Sequence, residues 1–267
     1  MTTVDSFVIS DKSFNSRLLL GTGKFSSNAL MKEAIEASET EIVTVSLRRA
    51  NLSSESDQSA NILDYIDGDN CLILPNTSGA NNAEEAIRLA RLAQSAGLPS
   101  WVKLEIHPDP KYLLPDPIET LKATELLVNE GFTVLPYINA DPVLAKKLQD
   151  VGAATVMPLG SPIGSNLGIQ NKKQIDIIIE QSTVPVIIDA GIGRPSHASE
   201  AMEMGADAVL INTAIAISSD PVLISKAFKS AVKNGRTDHL YGSHQVSSTA
   251  SSTSPLSTFL FDNDSPE

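Results

Sequence analysis

The chain has 267 residues and a mass of 28.4 kDa, room for one or two domains at roughly 100–200 residues each, or for a single α/β barrel of roughly 250 residues. Apolar residues make up 42% and charged residues 19%, which excludes wholesale disorder. Twenty basic against 32 acidic side chains leave a net charge of -12, which argues against a nucleic-acid surface because phosphate backbones require clustered cations. A single cysteine, Cys71, excludes an intrachain disulfide framework and a multi-cysteine metal site. It sits in the apolar run Cys71–Leu74 and reads as a buried structural thiol. No apolar stretch has the length of a membrane span, so no membrane partner is expected. The first residues lack a signal or transit pattern, so the expected location is where the chain is made: a bacterial cytoplasm, or a plastid stroma if plastid-encoded.

Taken in order, the apolar runs predict strands at Arg17–Leu20, Ile42–Leu47, Cys71–Leu74, Trp101–Ile106, Thr133–Tyr137, Ala154–Met157, Val184–Asp189 and Asp207–Asn212. Helix punctuation lies between them. Asn82–Ala96 carries alanine and isoleucine at helical spacing, and Asp116-Pro117 and Asp141-Pro142 each set an N-cap acid before a proline. Gly97, Gly131, Gly152 and Gly205 stand where helices should stop. Eight β–α repeats argue for a single (β/α)8 TIM barrel over residues 1–240, with residues 241–267 forming a Ser/Thr-rich C-terminal tail too polar to bury a core. A doubly wound sheet is the alternative. Gly21-Thr22-Gly23-Lys24 lacks the third glycine of a dinucleotide turn and the spacing of a P-loop, and reads instead as a loop at the barrel mouth.

Barrel sites form at the C-terminal strand ends, which selects Arg48, His107, Asp189 and Asn212. Strand alternation selects more. In Trp101–Ile106 the aliphatic Val102, Leu104 and Ile106 suit the outer helices, so Lys103 and Glu105 should point into the barrel. An inward lysine is either half of a buried ion pair or a nucleophile able to form an imine, with desolvation lowering its pKa. Glu105 then fits a proton-transfer role. After the seventh strand, Asp189-Ala190-Gly191-Ile192-Gly193 presents backbone N–H groups ahead of a helix, and Asn212-Thr213 follows the eighth; both places suit a phosphate. The glycine-rich loop Pro158–Gly168 reads as a substrate cover. A metal at Glu105, His107 and Asp109 is disfavoured, because Pro108 and Pro110 break the strand there. His197, His239 and His244 read as surface residues.

Several stretches in this order resemble thiazole synthase, a barrel enzyme of thiamine biosynthesis: Ser16–Lys24, Leu74–Ala80, Val102–Glu105, Leu113–Pro117, Gly160–Ser165 and Val186–Gly193. The resemblance implies that Lys103 forms a Schiff base with 1-deoxy-D-xylulose 5-phosphate. It further implies that Glu105 and Asp189 are acid–base carboxylates, and that Gly164, Ala190, Gly191, Gly193, Asn212 and Thr213 bind substrate. It implies dehydroglycine, supplied by a tyrosine lyase or glycine oxidase, and a thiocarboxylated sulfur-carrier protein as partners. It implies a homo-oligomer, with a tetramer favoured, and no metal or organic cofactor. Other readings are an imine-forming sugar-phosphate aldolase and a non-catalytic scaffold barrel. Asn166-Leu167 replaces the family's glycine and polar residue, and Leu240–Gln245 lacks its Gly-Arg-Ile-Pro run.

Overall fold

The computed structural model describes residues 5–46, 62–242 and 247–250. The chain opens on an antiparallel hairpin, β1 (Phe7–Ile9) and β2 (Lys12–Phe14). Eight further strands follow: β3 (Leu18–Gly21), β4 (Ile42–Ser46), β5 (Leu72–Asn76), β6 (Trp101–Leu104), β7 (Thr133–Ile138), β8 (Met157–Pro158), β9 (Ile187–Asp189) and β10 (Ala208–Ile211). All eight are parallel and pair in the order β8-β7-β6-β5-β4-β3-β10-β9. The parallel bridges Val156–Val186 and Leu159–Asp189 join β8 to β9 and complete the ring. The architecture is the expected α/β barrel, with each of the eight anticipated strands present.

The helices are α1 (Asn28–Ser38), α2 (Ala83–Ser95), α3 (Pro117–Asn129), α4 (Pro142–Asp150), α5 (Lys172–Gln181), α6 (Pro195–Glu203), the one-turn α7 (Thr213–Ala216) and α8 (Pro221–Tyr241). Their starts follow the sequence punctuation. Asp116 accepts from the N–H groups of Ile118 and Glu119, Asp141 from those of Val143 and Leu144, and Asn82 from that of Glu85. The four glycines anticipated at helix ends all have positive φ, between 84° and 99°.

Alternation divides the strand side chains. Val102, Leu104 and Ile106 pack outward against Ala86, Ile87 and Ala90 of α2 and Ala123 and Leu127 of α3. Inward, Trp101, Leu135, Met157, Ile187 and Leu210 fill the barrel interior together with Phe7, Ile9 and Phe14 of the hairpin. The hairpin therefore plugs the N-terminal end of the barrel. Its two three-residue strands are too short to produce a periodic signal, which is why sequence patterning misses it. Each fully buried aliphatic or aromatic side chain in this plug contributes about 1.5–3 kcal/mol relative to exposure. Below it, Arg17 donates to the Asp207 carbonyl at 2.7 Å and to Asp5 Oδ1 at 2.8 Å, and Arg236 of α8 also pairs with Asp5. These contacts fasten the chain's start to the barrel's last helix. Cys71 is buried, and burial pushes its thiol pKa up, as expected of an inert thiol.

No helix among the described residues is long and apolar enough to cross a membrane. Arg48, His244 and the segment Phe259–Phe261 lie outside the described residues. Residues 247–250 are exposed.

Candidate active site

The inward register that seats Trp101 and Ile187 in the plug places Lys103 and Asp189 one layer higher, two residues along the same strands. Glu105 follows Lys103 on the same face. The side chains meet: Lys103 Nζ donates to Glu105 Oε1 at 2.9 Å and lies 2.7 Å from Asp189 Oδ2. All three residues are 3–4% exposed. The Lys103 ammonium also sits 5.6 Å from the centre of the Tyr137 ring, within cation–π range. Behind Glu105, Thr77 Oγ1 accepts the Glu105 N–H at 2.8 Å and donates to its carbonyl at 2.9 Å, locking the backbone there. His107 Nε2 lies 3.4 Å from Glu105 Oε2 and 3.4 Å from Ser78 Oγ.

The trio forms the floor of a cavity of about 270 Å³. Of the residues expected to bind substrate, Gly164, Ala190, Gly191, Asn212 and Thr213 line it. Gly193 does not. Its N–H donates to His197 Nδ1 at 3.3 Å, and the space a side chain would need is filled by Asn166. The Gly193 amide, expected to face a ligand, is here engaged by His197 of the adjacent helix. His197 is accordingly half-buried rather than a surface residue. His239 is also half-buried, with Nδ1 3.1 Å from the Glu203 carbonyl oxygen. Asn166, which stands in for a glycine, adopts φ 57°; asparagine tolerates that left-handed conformation better than other side chains do.

Several wall residues carry no local signal of their role. Thr22, Asn76 and Ser78 line the cavity, and Asn76 pairs in register with Lys103. Gly21 and Gly23 are where they are because the Asn212 side chain lies against both: a Cβ would stand 2.6 Å from Asn212 Cβ at Gly21 and 2.8 Å from its Nδ2 at Gly23. Lys24 from the same turn reaches Thr213 Oγ1 with its Nζ at 3.3 Å. Its signal was the turn's position at the barrel mouth, but a turn does not reveal which strand end its side chain will meet.

The electrostatics differ from the simple desolvation picture. Burial alone would pull the Lys103 pKa down, but the Asp189 and Glu105 carboxylates outweigh it and push the pKa up. The resting lysine is an ammonium, not the free amine that desolvation alone predicts. Burial would likewise raise Glu105, but the Lys103 charge and the His107 hydrogen bond bring its carboxyl down to about 2. Asp189 goes the other way: burial and the Glu105 charge push it up against the pull of Lys103. Asp189 Oδ2 accepts no well-aligned hydrogen bond despite its closeness to the ammonium. Two carboxylates beside one lysine are thus driven apart, one held ionised and the other inclined to take a proton.

This asymmetry has a consequence for stability. The folded Glu105 carboxyl, at about 2, lies below its ordinary value of roughly 4.3. Its ionisation therefore stabilises the fold at neutral pH, and that contribution disappears as pH falls from about 5 towards 2. The difference in unfolding free energy between wild type and Glu105→Gln should shrink over that interval in denaturant titrations. A difference that stays constant down to the lowest accessible pH would contradict the pairing.

A closed α/β barrel with a buried ammonium between two carboxylates, at the floor of a cavity at its C-terminal mouth, defines a lysine-centred barrel enzyme. Residues 8–255 match the family of the thiazole biosynthesis protein ThiG. The thiazole synthase of Syntrophobacter fumaroxidans is 63% identical over 253 residues, covering 95% of this chain and 98% of the relative. Thiazole synthase 2 of Syntrophotalea carbinolica is 59% identical, covering 97% and 99% respectively. Among solved structures, the Amycolatopsis orientalis BexX/CysO complex superposes with a TM-score of 0.80 at 30% identity, covering 91% of this chain and 98% of that one. The chain belongs to the ThiG family and is an enzyme of thiamine biosynthesis with thiazole synthase activity.

Proposed function

We propose that the enzyme builds a thiazole phosphate carboxylate from 1-deoxy-D-xylulose 5-phosphate, the thiocarboxylate sulfur of a small carrier protein, and dehydroglycine, through an imine on Lys103. The observation that carries this reading is the buried Lys103 between Glu105 and Asp189 at the floor of an open cavity. To attack the C2 ketone the ammonium must first lose a proton. Asp189 is the suited acceptor, its Oδ2 being 2.7 Å away and its pKa shifted upward. The amine adds to C2, water leaves, and the resulting iminium keeps Glu105 as its counter-ion, since Glu105 stays ionised. Loss of the C3 proton and return of a proton elsewhere move the carbonyl to C3. The thiocarboxylate sulfur adds to the C3 carbonyl, and the carrier's acyl group passes from sulfur to the former carbonyl oxygen and leaves as the carrier's carboxylate, which breaks its C–S bond. The sulfur then adds to the C=N carbon of dehydroglycine, whose nitrogen bonds to C2 and displaces the Lys103 amine, and the C4 hydroxyl leaves as water.

The phosphate of the sugar is held by the backbone around Gly164, Gly191 and Thr213, all of which line the cavity. Fixed dipoles there matter because a chain of net charge -12 repels an anionic substrate at long range. The BexX structure, determined with CysO, supports a protein partner for this chain as well. The site belongs to one domain spanning residues 1–240, working in the cytoplasm.

Incubation with 1-deoxy-D-xylulose 5-phosphate and borohydride should add the reduced ketose to Lys103, located by peptide mass mapping. Asp189→Asn should slow the trapping by roughly 10²–10⁴-fold, the usual range for a lost general base. Thiazole formation should require both the thiocarboxylated carrier and dehydroglycine. Trapping followed by cleavage or condensation without a sulfur donor would favour an aldolase instead, and absence of any adduct would refute the imine.

A further inference from the structure

The charged residues lining the cavity, Lys103, Glu105 and Asp189, sit together at its floor. One ammonium is matched there against two carboxyl groups, so the trio offers no net attraction to a dianionic ester at the mouth. Lys24 is different. It is exposed, belongs to the turn whose Gly23 lines the cavity, and reaches in from above. Its Nζ lies 3.3 Å from Thr213 Oγ1 and 3.2 Å from where a Cβ on Gly164 would stand. Gly164 and Thr213 come from the loops after β8 and β10, so the ammonium bridges two mouth loops from a third. The Lys24 backbone is also held at φ 69°, a conformation that a side-chain-bearing residue adopts at a cost. Three of the other described non-glycine residues with positive φ, Leu113, Asn166 and Ala190, line the same cavity. Strained backbone is thus concentrated around the mouth, where it aims groups at a ligand.

We infer that Lys24 is the cation that binds the phosphate of the sugar substrate and so makes the enzyme select a phosphorylated ketose over its unphosphorylated counterpart. This rests on the reading of the cavity floor as the ketose site. The bond to Thr213 is a resting contact between an exposed ammonium and a neutral hydroxyl. A phosphate oxygen at the same place would be a stronger, charge-assisted acceptor. Glycine at 164 keeps the space beside the ammonium clear, since even a methyl there would stand in contact with Nζ.

The test measures the concentration of 1-deoxy-D-xylulose 5-phosphate that half-saturates borohydride trapping on Lys103 in the full chain. Lys24→Met should raise it about tenfold, as expected for losing one exposed charge-assisted hydrogen bond. Half-saturation by unphosphorylated 1-deoxy-D-xylulose should move by less than about twofold, because that ketose has no dianion for Lys24 to meet. Lys24→Arg should retain most of the affinity. Added salt should weaken the phosphorylated ketose more in wild type than in Lys24→Met. Lys24→Gly relieves the backbone but removes the charge, so its Tm should not fall while its affinity drops as in Lys24→Met. An unchanged half-saturation for the phosphate ester, or equal weakening for both ketoses, overturns the inference. If wild type is trapped by neither ketose, the function proposed above fails on its own account. Calorimetric titration with inorganic phosphate then decides Lys24: weaker binding in Lys24→Met upholds the inference, and unchanged binding overturns it.

Discussion

Lys103→Arg should show no borohydride-trapped ketose and at least about a thousandfold lower turnover, while staying folded at neutral pH. The guanidinium keeps the positive charge between Glu105 and Asp189 but is not a nucleophile at any pH the protein survives. Lys103→Met loses the same chemistry and also strips the counter-ion from two carboxylates that are 3–4% exposed. Breaking a buried pair in this way costs about 3–5 kcal/mol. Part of that is recoverable, because Asp189 already has its pKa raised by burial and by Glu105 and becomes neutral readily. The stability deficit of Lys103→Met against wild type should therefore be largest at alkaline pH and narrow as the medium is acidified, measured as Tm from pH 8.5 to 5.5. A pH-independent deficit would mean that Asp189 does not take the proton, and would remove the basis for casting it as the acceptor. Measurable trapping in Lys103→Arg would place the imine on another residue.

Gly191→Ala should be the most damaging single-methyl change in the mouth. Gly191 has φ 76°, and a Cβ there would overlap Ser161 Oγ and stand 2.7 Å from the Ser161 carbonyl oxygen. Ser161 is 1% exposed and its hydroxyl accepts from Ser165 at 3.0 Å, so it has nowhere to retreat. Left-handed strain of about 1–2 kcal/mol adds to overpacking of about 1–3 kcal/mol. The loops after β8 and β9 would be forced apart, and they carry Gly164, Ala190 and Gly191. The expected result is a clear fall in Tm together with loss of ketose trapping at concentrations that saturate wild type. Adding Ser161→Gly should recover part of the stability by removing the hydroxyl clash, but not the part due to backbone conformation. A Gly191→Ala enzyme with wild-type Tm and trapping would show that these loops are not packed as described.

Much of this site can be read from local pattern. Alternation in Trp101–Ile106 puts Lys103 and Glu105 on the inner face, and the structure has them there, with Val102, Leu104 and Ile106 against the helices. Asp189 follows from its place at the end of an apolar strand. Other features left no local trace. The β1–β2 hairpin is too short for periodicity to register, yet its phenylalanines close the barrel's lower end. Gly193 resembles Gly191 in the motif, but only the neighbouring helix and loop decide that one faces the cavity and the other faces His197 and Asn166. Lys24 shares a turn with two glycines, and its value depends on Gly164 and Thr213 arriving beside it from distant parts of the chain.

Local pattern suffices for the barrel, its strand parity, the inward lysine and the candidate phosphate loops. These rest on period, turn chemistry and residue type, which are properties of short stretches of chain. The charge state of the site depends on contacts between distant strands. Desolvation of one lysine can be anticipated from its strand, but the opposing carboxylate field requires β6 and β9 to face each other across a closed ring, with Asp189 2.7 Å from the ammonium. Coulomb interactions depend on distance through space rather than along the chain. Ring closure therefore decides between the two readings of the inward lysine, in favour of a buried ammonium held by one ionised acid beside a second whose pKa burial pushes up.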